Sequence, residues 1–495
     1  MGIMSRSPIW SPSLPAPPTI SYSAHPCSGV ISLPRVSDSA ISSDKQLGPK
    51  ITMVGAGGMS FGPTMVNDVV HTSRLHGARL MLHDVNPERL GRAYRFACKL
   101  NAAAGAPVVI DYSTDPAEAL QGADFVLSSA EFGRFEYWRQ DYEVPNSYGA
   151  RQITGENGGP GAVFHSLRSI SNTLSICESI EKYCPEAFLI NLSNPMSRVT
   201  LAINRGTNVR NVGMCHEMPM GIGRLARRLR IKRSDIEAKA SGINHFTFFT
   251  EFRNKRTGED LMPKIREFYS RQFFDFSPRT QRIAQQLDRV LPGALLVEFN
   301  YLPLVTQLVR EYGLVACSVD SHIGEYLPFA VDAADWMPTP LDFHEPLIVR
   351  AEKAAAWVAD TRVPLPLQAM GHSHEEVIPI VAAMWTDDPT RILAVNVPNS
   401  GYLPDVAEGA IVEVGALVNG SGIHPDVMPA LGEPLAGWIA TQVELQNLVV
   451  DAAIQKEPNL AFEALREDPN SPSDEASCRK IFDELMGLQA AHLPF

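Results

Sequence analysis

The sequence predicts an α/β fold, a doubly wound parallel sheet followed by an α+β C-terminal domain. Three observations predict it. Short apolar runs alternate with helix-like segments between Lys50 and Met214. A glycine-rich turn follows the first run and opens a helix, and an acid ends the second run. Alternating strands and helices give parallel sheets with right-handed crossovers, and a strand–glycine turn–helix unit at the start is the Rossmann type of that architecture.

Taken in order, Lys50–Val54 reads as the first strand, and Gly55-Ala-Gly57-Gly58-Met59-Ser60-Phe61 as the turn. Pro63 marks the start of a helix, since proline suits the first helical turn. The glycines let backbone N–H groups approach a pyrophosphate, and the helix dipole favours its charge. Arg79–Asp84 is the second strand. Asp84 is placed to accept hydrogen bonds from an adenosine ribose, which favours NAD over NADP. The alternation continues with strands at Val108–Asp111, Asp124–Ser128, Phe188–Leu192 and Val212–Met214. Helices are expected at Pro116–Leu120, Pro160–Tyr183 and Pro195–Asn204. Ligands on such sheets bind at the carboxyl ends of the strands.

Composition bounds the function. The chain has 495 residues, a net charge of −12, 45% hydrophobic residues and 20% charged ones. The acidic balance argues against a nucleic-acid or anionic-membrane partner. No apolar run approaches the ~20 residues needed to cross a bilayer. The seven cysteines are scattered and form no C-x-x-C pair, so neither a disulfide framework nor a structural zinc site is expected. A reducing compartment, the cytoplasm, is the expectation. Residues 1–48 contain 12 Ser and 7 Pro with no acid before Asp38. They read as a disordered extension with only weak features of a transit peptide.

Three polar segments fall at predicted strand ends. Gly149–Gly161, which contains Glu156 and Asn157, is too glycine-rich for core and can close over a phosphate or sugar. Asn191-Leu-Ser-Asn194-Pro195 offers amides that match a sugar hydroxyl or a nicotinamide carboxamide. Cys215-His216-Glu217 ends another strand, and Gly242-Ile-Asn244-His245 follows thirty residues later. A thiolate with an imidazole suits a borderline divalent ion, and open positions would leave room for substrate oxygens.

Together these segments resemble glycoside hydrolase family 4, the NAD- and divalent-metal-dependent glycosidases. The resemblance runs from about Lys50 to about Ile454. It rests on the glycine turn, with Gly58 in place of the family's Ser, and on Asp141-x-x-x-Pro145-x-x-Tyr148-Gly149 followed by Gln152. It rests further on Asn191-x-x-Asn194-Pro195, Cys215-His216-Glu217 and Gly242-Ile-Asn244-His245. Gly371–Pro379 and Ser421-Gly-Ile-His424 are similar to the C-terminal domain of the family's α-glucosidases.

The resemblance implies a two-domain architecture like that of lactate and malate dehydrogenases. It implies NAD bound by Gly55, Gly57, Gly58, Met59, Ser60, Asp84 and Asn191. Cys215 and His245 would hold Mn(II) or another divalent metal. Asn194, Asn157 and Glu156 would hold the sugar. Asp320 would be the base for the C2 proton, and His216, where phospho-sugar members carry Asp, would help the leaving group. The implied chemistry is transient oxidation at sugar C3 by NAD, C2 deprotonation, elimination and water addition. His216-Glu217 after the metal cysteine points to unphosphorylated α-glucosides, α-galactosides or α-uronides. A 2-hydroxyacid dehydrogenase shares the first domain, and a non-catalytic NAD sensor would keep only the glycine turn. The expected division is an NAD-binding domain over residues 49–214 and a C-terminal catalytic, substrate and oligomerisation domain over residues 215–495. Leu435–Glu444 and Asn447–Ile454 have the amphipathic pattern of packing or interface helices, in keeping with a homo-dimer or tetramer.

Overall fold

The computed structural model describes residues 48–59, 61–271, 302–334, 340–360, 373 and 375–495. The expected N-terminal extension, apart from Gly48, lies outside the described residues, as do Ser60, His372 and His374.

The strands join into one sheet of 11 strands. Six are parallel, in the order β3-β2-β1-β4-β5-β6. These are β1 (Lys50–Val54), β2 (Arg79–His83), β3 (Val109–Ser113), β4 (Phe125–Ser128), β5 (Phe188–Asn191) and β6 (Asn211–Gly213). In β1, Ile51 and Met53 face one apolar cluster, while Val54 joins the other. Burial on both faces is what a parallel sheet covered by helices requires. The crossovers are α1 (Gly62–His71), α2 (Pro87–Ala103), α3 (Pro116–Leu120), α4 (Arg134–Ser147), α5 (Pro160–Tyr183) and α6 (Met196–Gly206). Asn86 accepts from the Glu88 and Arg89 amides to start α2, and Asp115 accepts from the Ala117 amide to start α3. Each cap satisfies backbone donors that the first helical turn leaves orphaned.

The sheet does not stop at β6. After α7 (Glu217–Leu229), the long antiparallel strands β7 (Ile236–Ile243) and β8 (Phe246–Asn254) form a hairpin. The chain continues through α8 (Met262–Arg271), α9 (Pro303–Tyr312), α10 (Asp320–Ile323), α11 (Ala330–Ala334), α12 (Pro340–Asp360) and α13 (Val377–Thr386). Strands β9 (Thr390–Pro398), β10 (Ile411–Asn419) and β11 (Gly422–Pro425) follow. Strand β9 pairs antiparallel with β6, and β10 bridges β9 to β7. The second half thus extends the sheet of the first, with strands longer than its sequence pattern suggests. The two amphipathic runs expected near the C-terminus are one helix, α14 (Leu435–Gln455), followed by α15 (Pro458–Glu467) and α16 (Glu475–Gln489). Helix α14 packs on α5, α6 and α15. Arg224 is buried in α7 and donates to the Ala316 carbonyl at 2.8 Å. Among the described residues no helix is long and apolar enough to cross a membrane.

Candidate functional site

The carboxyl ends of β1, β4, β5 and β6 carry the segments singled out in the sequence. At the end of β1, the Gly55 and Ala56 amides both donate to the His83 carbonyl at 3.0 Å, which folds the turn back against β2. The Gly57 amide donates to Asp84 Oδ2 at 2.9 Å. A Cβ on Gly57 would lie 2.7 Å from that oxygen and 2.7 Å from Arg89 Cβ, so only glycine fits there. Helix α1 begins with a proline and has no acid in its first turn, leaving its positive end available to an anion. Gly55, Gly57, Gly58, Met59 and Asp84 are therefore gathered into a cradle that fits a dinucleotide.

Asn191 ends β5 and is fully buried. Its Oδ1 accepts the Ser193 amide at 3.1 Å, and its Nδ2 contacts the Ser193 carbonyl at 3.3 Å and Met196 Sδ at 3.4 Å. Its amide shapes the turn at the carboxyl end of β5, where a dinucleotide on this sheet would lie. Asn194, half-buried at the head of α6, is the residue that this turn presents.

The glycine-rich segment is not an open lid. Residues 154–161 are buried. Gln152 accepts the Gly161 amide at 2.9 Å, and Asp468 accepts the Gly159 amide at 3.0 Å. Glu325 accepts the Glu156 amide at 2.7 Å and the Asn157 amide at 3.1 Å, and bonds the Thr154 hydroxyl. A side chain on Gly158 would strike the Glu325 carbonyl, so this glycine serves close packing. Burial and the neighbouring Glu156 push Glu325 up to about 7. Glu156 behaves oppositely. Burial opposes its charge, but Arg134, 3.1 Å away, and the surrounding imidazoles hold its carboxyl at about 2.

Beyond β6, Cys215 precedes α7, His216 is its N-cap residue and Glu217 is its first residue. His245 sits in the β7–β8 turn with φ +63°, a left-handed conformation uncommon for a non-glycine residue. Glu413 on β10 anchors that turn, accepting from Asn244 Nδ2 at 2.9 Å, Thr247 Oγ1 at 3.0 Å and Asn396 Nδ2 at 3.0 Å. Asn157 Nδ2 reaches His245 Nδ1 at 3.1 Å, tying the glycine segment to the hairpin.

The structure adds two residues that sequence reasoning did not assign to the metal. Glu217, His245 and His322 place their ligand atoms within 4.8 Å of one another. His245 Nε2 is 3.8 Å from Glu217 Oε1, and that same oxygen bonds His322 Nδ1 and the Ser318 hydroxyl. Glu217 Oε2 is buried with no hydrogen-bond partner among the described residues. Burial works against the Glu217 charge, yet His245, His322 and Ser318 hold its carboxyl at about 2. Burial keeps His245 neutral, down at about 4, against the pull of Glu217. The Cys215 thiol is pushed well up by burial and by the charges of Glu217 and Glu413, while Asn244 hydrogen-bonds it. Glu217, His245 and His322 form a donor set that fits a divalent cation, with the half-buried Cys215 thiol two residues before Glu217.

His216 stands beside this group, with Nδ1 3.5 Å from Glu375 Oε1. Asp320, expected to be the base, is engaged with backbone amides. Its Oδ2 accepts the Leu304 amide at 2.8 Å and its Oδ1 the Val305 amide at 3.0 Å. It is fully buried and caps the start of α9.

Comparisons with known proteins agree with this geometry. The model of the family 4 glycosyl hydrolases matches residues 50–230, and that of the family's C-terminal domain matches residues 240–471. An α-glucosidase of Erwinia rhapontici is 32% identical over 87% of this chain and 95% of its own. An α-galactosidase of Bacillus subtilis is 28% identical over 90% of this chain and 98% of its own. Among solved structures, a 6-phospho-α-glucosidase from gut microorganisms in complex with NAD and Mn2+ superposes with a TM-score of 0.75 at 22% identity, covering 90% of this chain and 99% of that one.

Proposed function

This chain belongs to family 4 of the glycosyl hydrolases, and from that premise we propose that it cleaves the O-glycosidic bond of unphosphorylated α-glycosides, with NAD and a divalent cation, Mn(II) first, as cofactors. The observation that carries the reading is the gathering of Glu217, His245 and His322 beyond β6, with Cys215 two residues before Glu217, in a sheet whose β1 end carries the dinucleotide cradle.

When bound, NAD supplies a hydride acceptor for sugar C3, and the cation supplies Lewis acidity that makes the C2 proton removable. The chain's own residues hold and orient. Gly55, Gly57, Gly58, Met59, Ser60 and Asp84 take the dinucleotide, and Cys215 and His245 take the cation. Asn194, Asn157 and Glu156 take sugar hydroxyls, with Glu156 kept ionised as an acceptor by Arg134. His216, backed by Glu375, assists the leaving oxygen. Because the bond breaks by elimination, no pair of carboxylates flanking C1 is required. The α-glucosidase and α-galactosidase names of the relatives support the α-glycoside class. An α-uronide belongs to the same proposal, since relatives named α-galacturonidase are 27% identical. The family match leaves the 2-hydroxyacid dehydrogenase reading without support of its own. We place the enzyme in the cytoplasm as a homo-oligomer, dimer or tetramer, with residues 49–214 as its dinucleotide-binding part and residues 215–495 as its substrate part.

The test is release of 4-nitrophenol from 4-nitrophenyl α-glucoside, α-galactoside and α-galacturonide by protein stripped of NAD and metal. Activity is expected only after both NAD and Mn(II) are restored. Full cleavage by the stripped protein overturns the reading.

A further inference from the structure

Glu217 has two carboxylate oxygens in unequal surroundings. Oε1 is held by His322 Nδ1 and the Ser318 hydroxyl. Oε2 is buried and has no hydrogen-bond partner among the described residues. Leaving an ionised oxygen buried and unpaired is costly, so such an atom marks a missing partner. A hydrogen-bond donor or a cation would complete it, and the cluster with His245 and His322 favours a cation. His245 is tied to Asn157 through Nδ1 at 3.1 Å, and its Nε2 lies 3.8 Å from Glu217 Oε1. A metal ion fits all of these constraints at once.

We propose that Glu217 is a third protein ligand of the divalent ion, joining Cys215 and His245 through Oε2 while His322 and Ser318 hold Oε1. The inference rests on the metal reading above and deepens it. Ligating carboxylates are commonly fixed by hydrogen bonds to their other oxygen, and those supports tune affinity. An added oxygen donor also suits a hard ion such as Mn(II) better than thiolate and imidazole alone. Glu217 lies two residues beyond Cys215 on the first turn of α7, so one short segment delivers both donors. Three protein ligands still leave positions open for substrate.

The test is titration of the full-length, NAD-loaded protein with Mn(II), followed by electron paramagnetic resonance of the free ion. Glu217→Gln keeps the shape of the side chain and removes its charge. It is expected to weaken Mn(II) binding roughly 10–100-fold, with NAD affinity and the thermal midpoint close to wild type. Ser318→Ala and His322→Asn loosen only Oε1 and are expected to cause smaller losses. Wild-type Mn(II) affinity in Glu217→Gln overturns the proposal. Should that variant fail to fold, unchanged affinity in both supporting variants overturns it instead. A wild-type protein that binds no Mn(II) sinks the metal reading itself, and this inference with it.

Discussion

The imidazole rings of His245 and His322 stack face to face, with centroids 4.2 Å apart and planes 5° from parallel. Burial pushes His245 down to about 4, which leaves its ring neutral. A neutral ring nitrogen is what a metal ion requires. In the proposed site His245 binds the ion, and His322, hydrogen-bonded to Glu217 Oε1, supports Glu217.

Replacing Cys215 with Ser tests the soft donor of the site. The hydroxyl matches the thiol in shape but is a poorer ligand. Mn(II) affinity is expected to fall by about tenfold or more, and glycosidase activity with it, while NAD binding stays intact. Isothermal titration with each cofactor separately reads this. Unchanged Mn(II) affinity removes Cys215 from the ligand set.

Gly57→Ala tests the dinucleotide cradle. The added methyl would sit 2.7 Å from Asp84 Oδ2 and from Arg89 Cβ, so the Asp84 carboxylate must swing away. NAD affinity is expected to drop about tenfold or more, equivalent to ~1.4 kcal/mol, with little change in Mn(II) binding. Fluorescence titration with NADH measures it.

Asp320 separates a cap from a base. Its two oxygens receive the Leu304 and Val305 amides. Removing such a cap costs ~0.5–2 kcal/mol. Asp320→Ala is expected to lower the unfolding free energy by about that amount. Asp320→Asn, which keeps one acceptor, is expected to lose less stability and no more than about tenfold in kcat. A loss near a thousandfold in kcat with an unchanged thermal midpoint restores the base assignment.

Glu376 offers a pH test away from the metal. Burial pushes its carboxyl from 4.5 up to about 7, although it accepts the Leu393 amide at 2.8 Å. The folded protein therefore holds this proton more tightly than the unfolded chain. The stability it contributes is fully present below the unfolded value and is lost as pH rises through about 7. Glu376→Gln removes that dependence, and between pH 5 and pH 8 its stability relative to wild type is expected to gain about 1–3 kcal/mol. Urea unfolding at the two pH values reads the difference, and parallel curves refute it.

Much of this molecule is legible in its sequence because local signals coincide with tertiary ones. Pro116–Leu120 and Pro160–Tyr183 begin at prolines and match the observed helices. Helix α2 carries its own start signal, Asn86 before Pro87, yet a reading built on apolar runs passes over it because much of its surface is exposed and polar. The site divides in the same way. Cys215 and His245 stand out beside glycines and strand ends, whereas Glu217 and His322 are 105 residues apart and meet only through the fold. Asp320 makes contacts hidden for a related reason. Its carboxylate caps a helix that lies earlier in the chain, and no spacing rule reveals which amides a buried acid will serve. The glycines after Tyr148 suggest mobility, but Gly158 and Gly161 are needed because the chain packs against Glu325 and Asp141 there.

The central claim is that the glycosidic bond breaks by elimination after removal of the C2 proton. Hydrolysis of 4-nitrophenyl α-glucoside, or of whichever α-glycoside is cleaved, in deuterated water with NAD and Mn(II) tests it directly by mass spectrometry and proton NMR of the released sugar. The account predicts solvent deuterium at C2 of the product. A sugar released at full rate with its original C2 proton contradicts it.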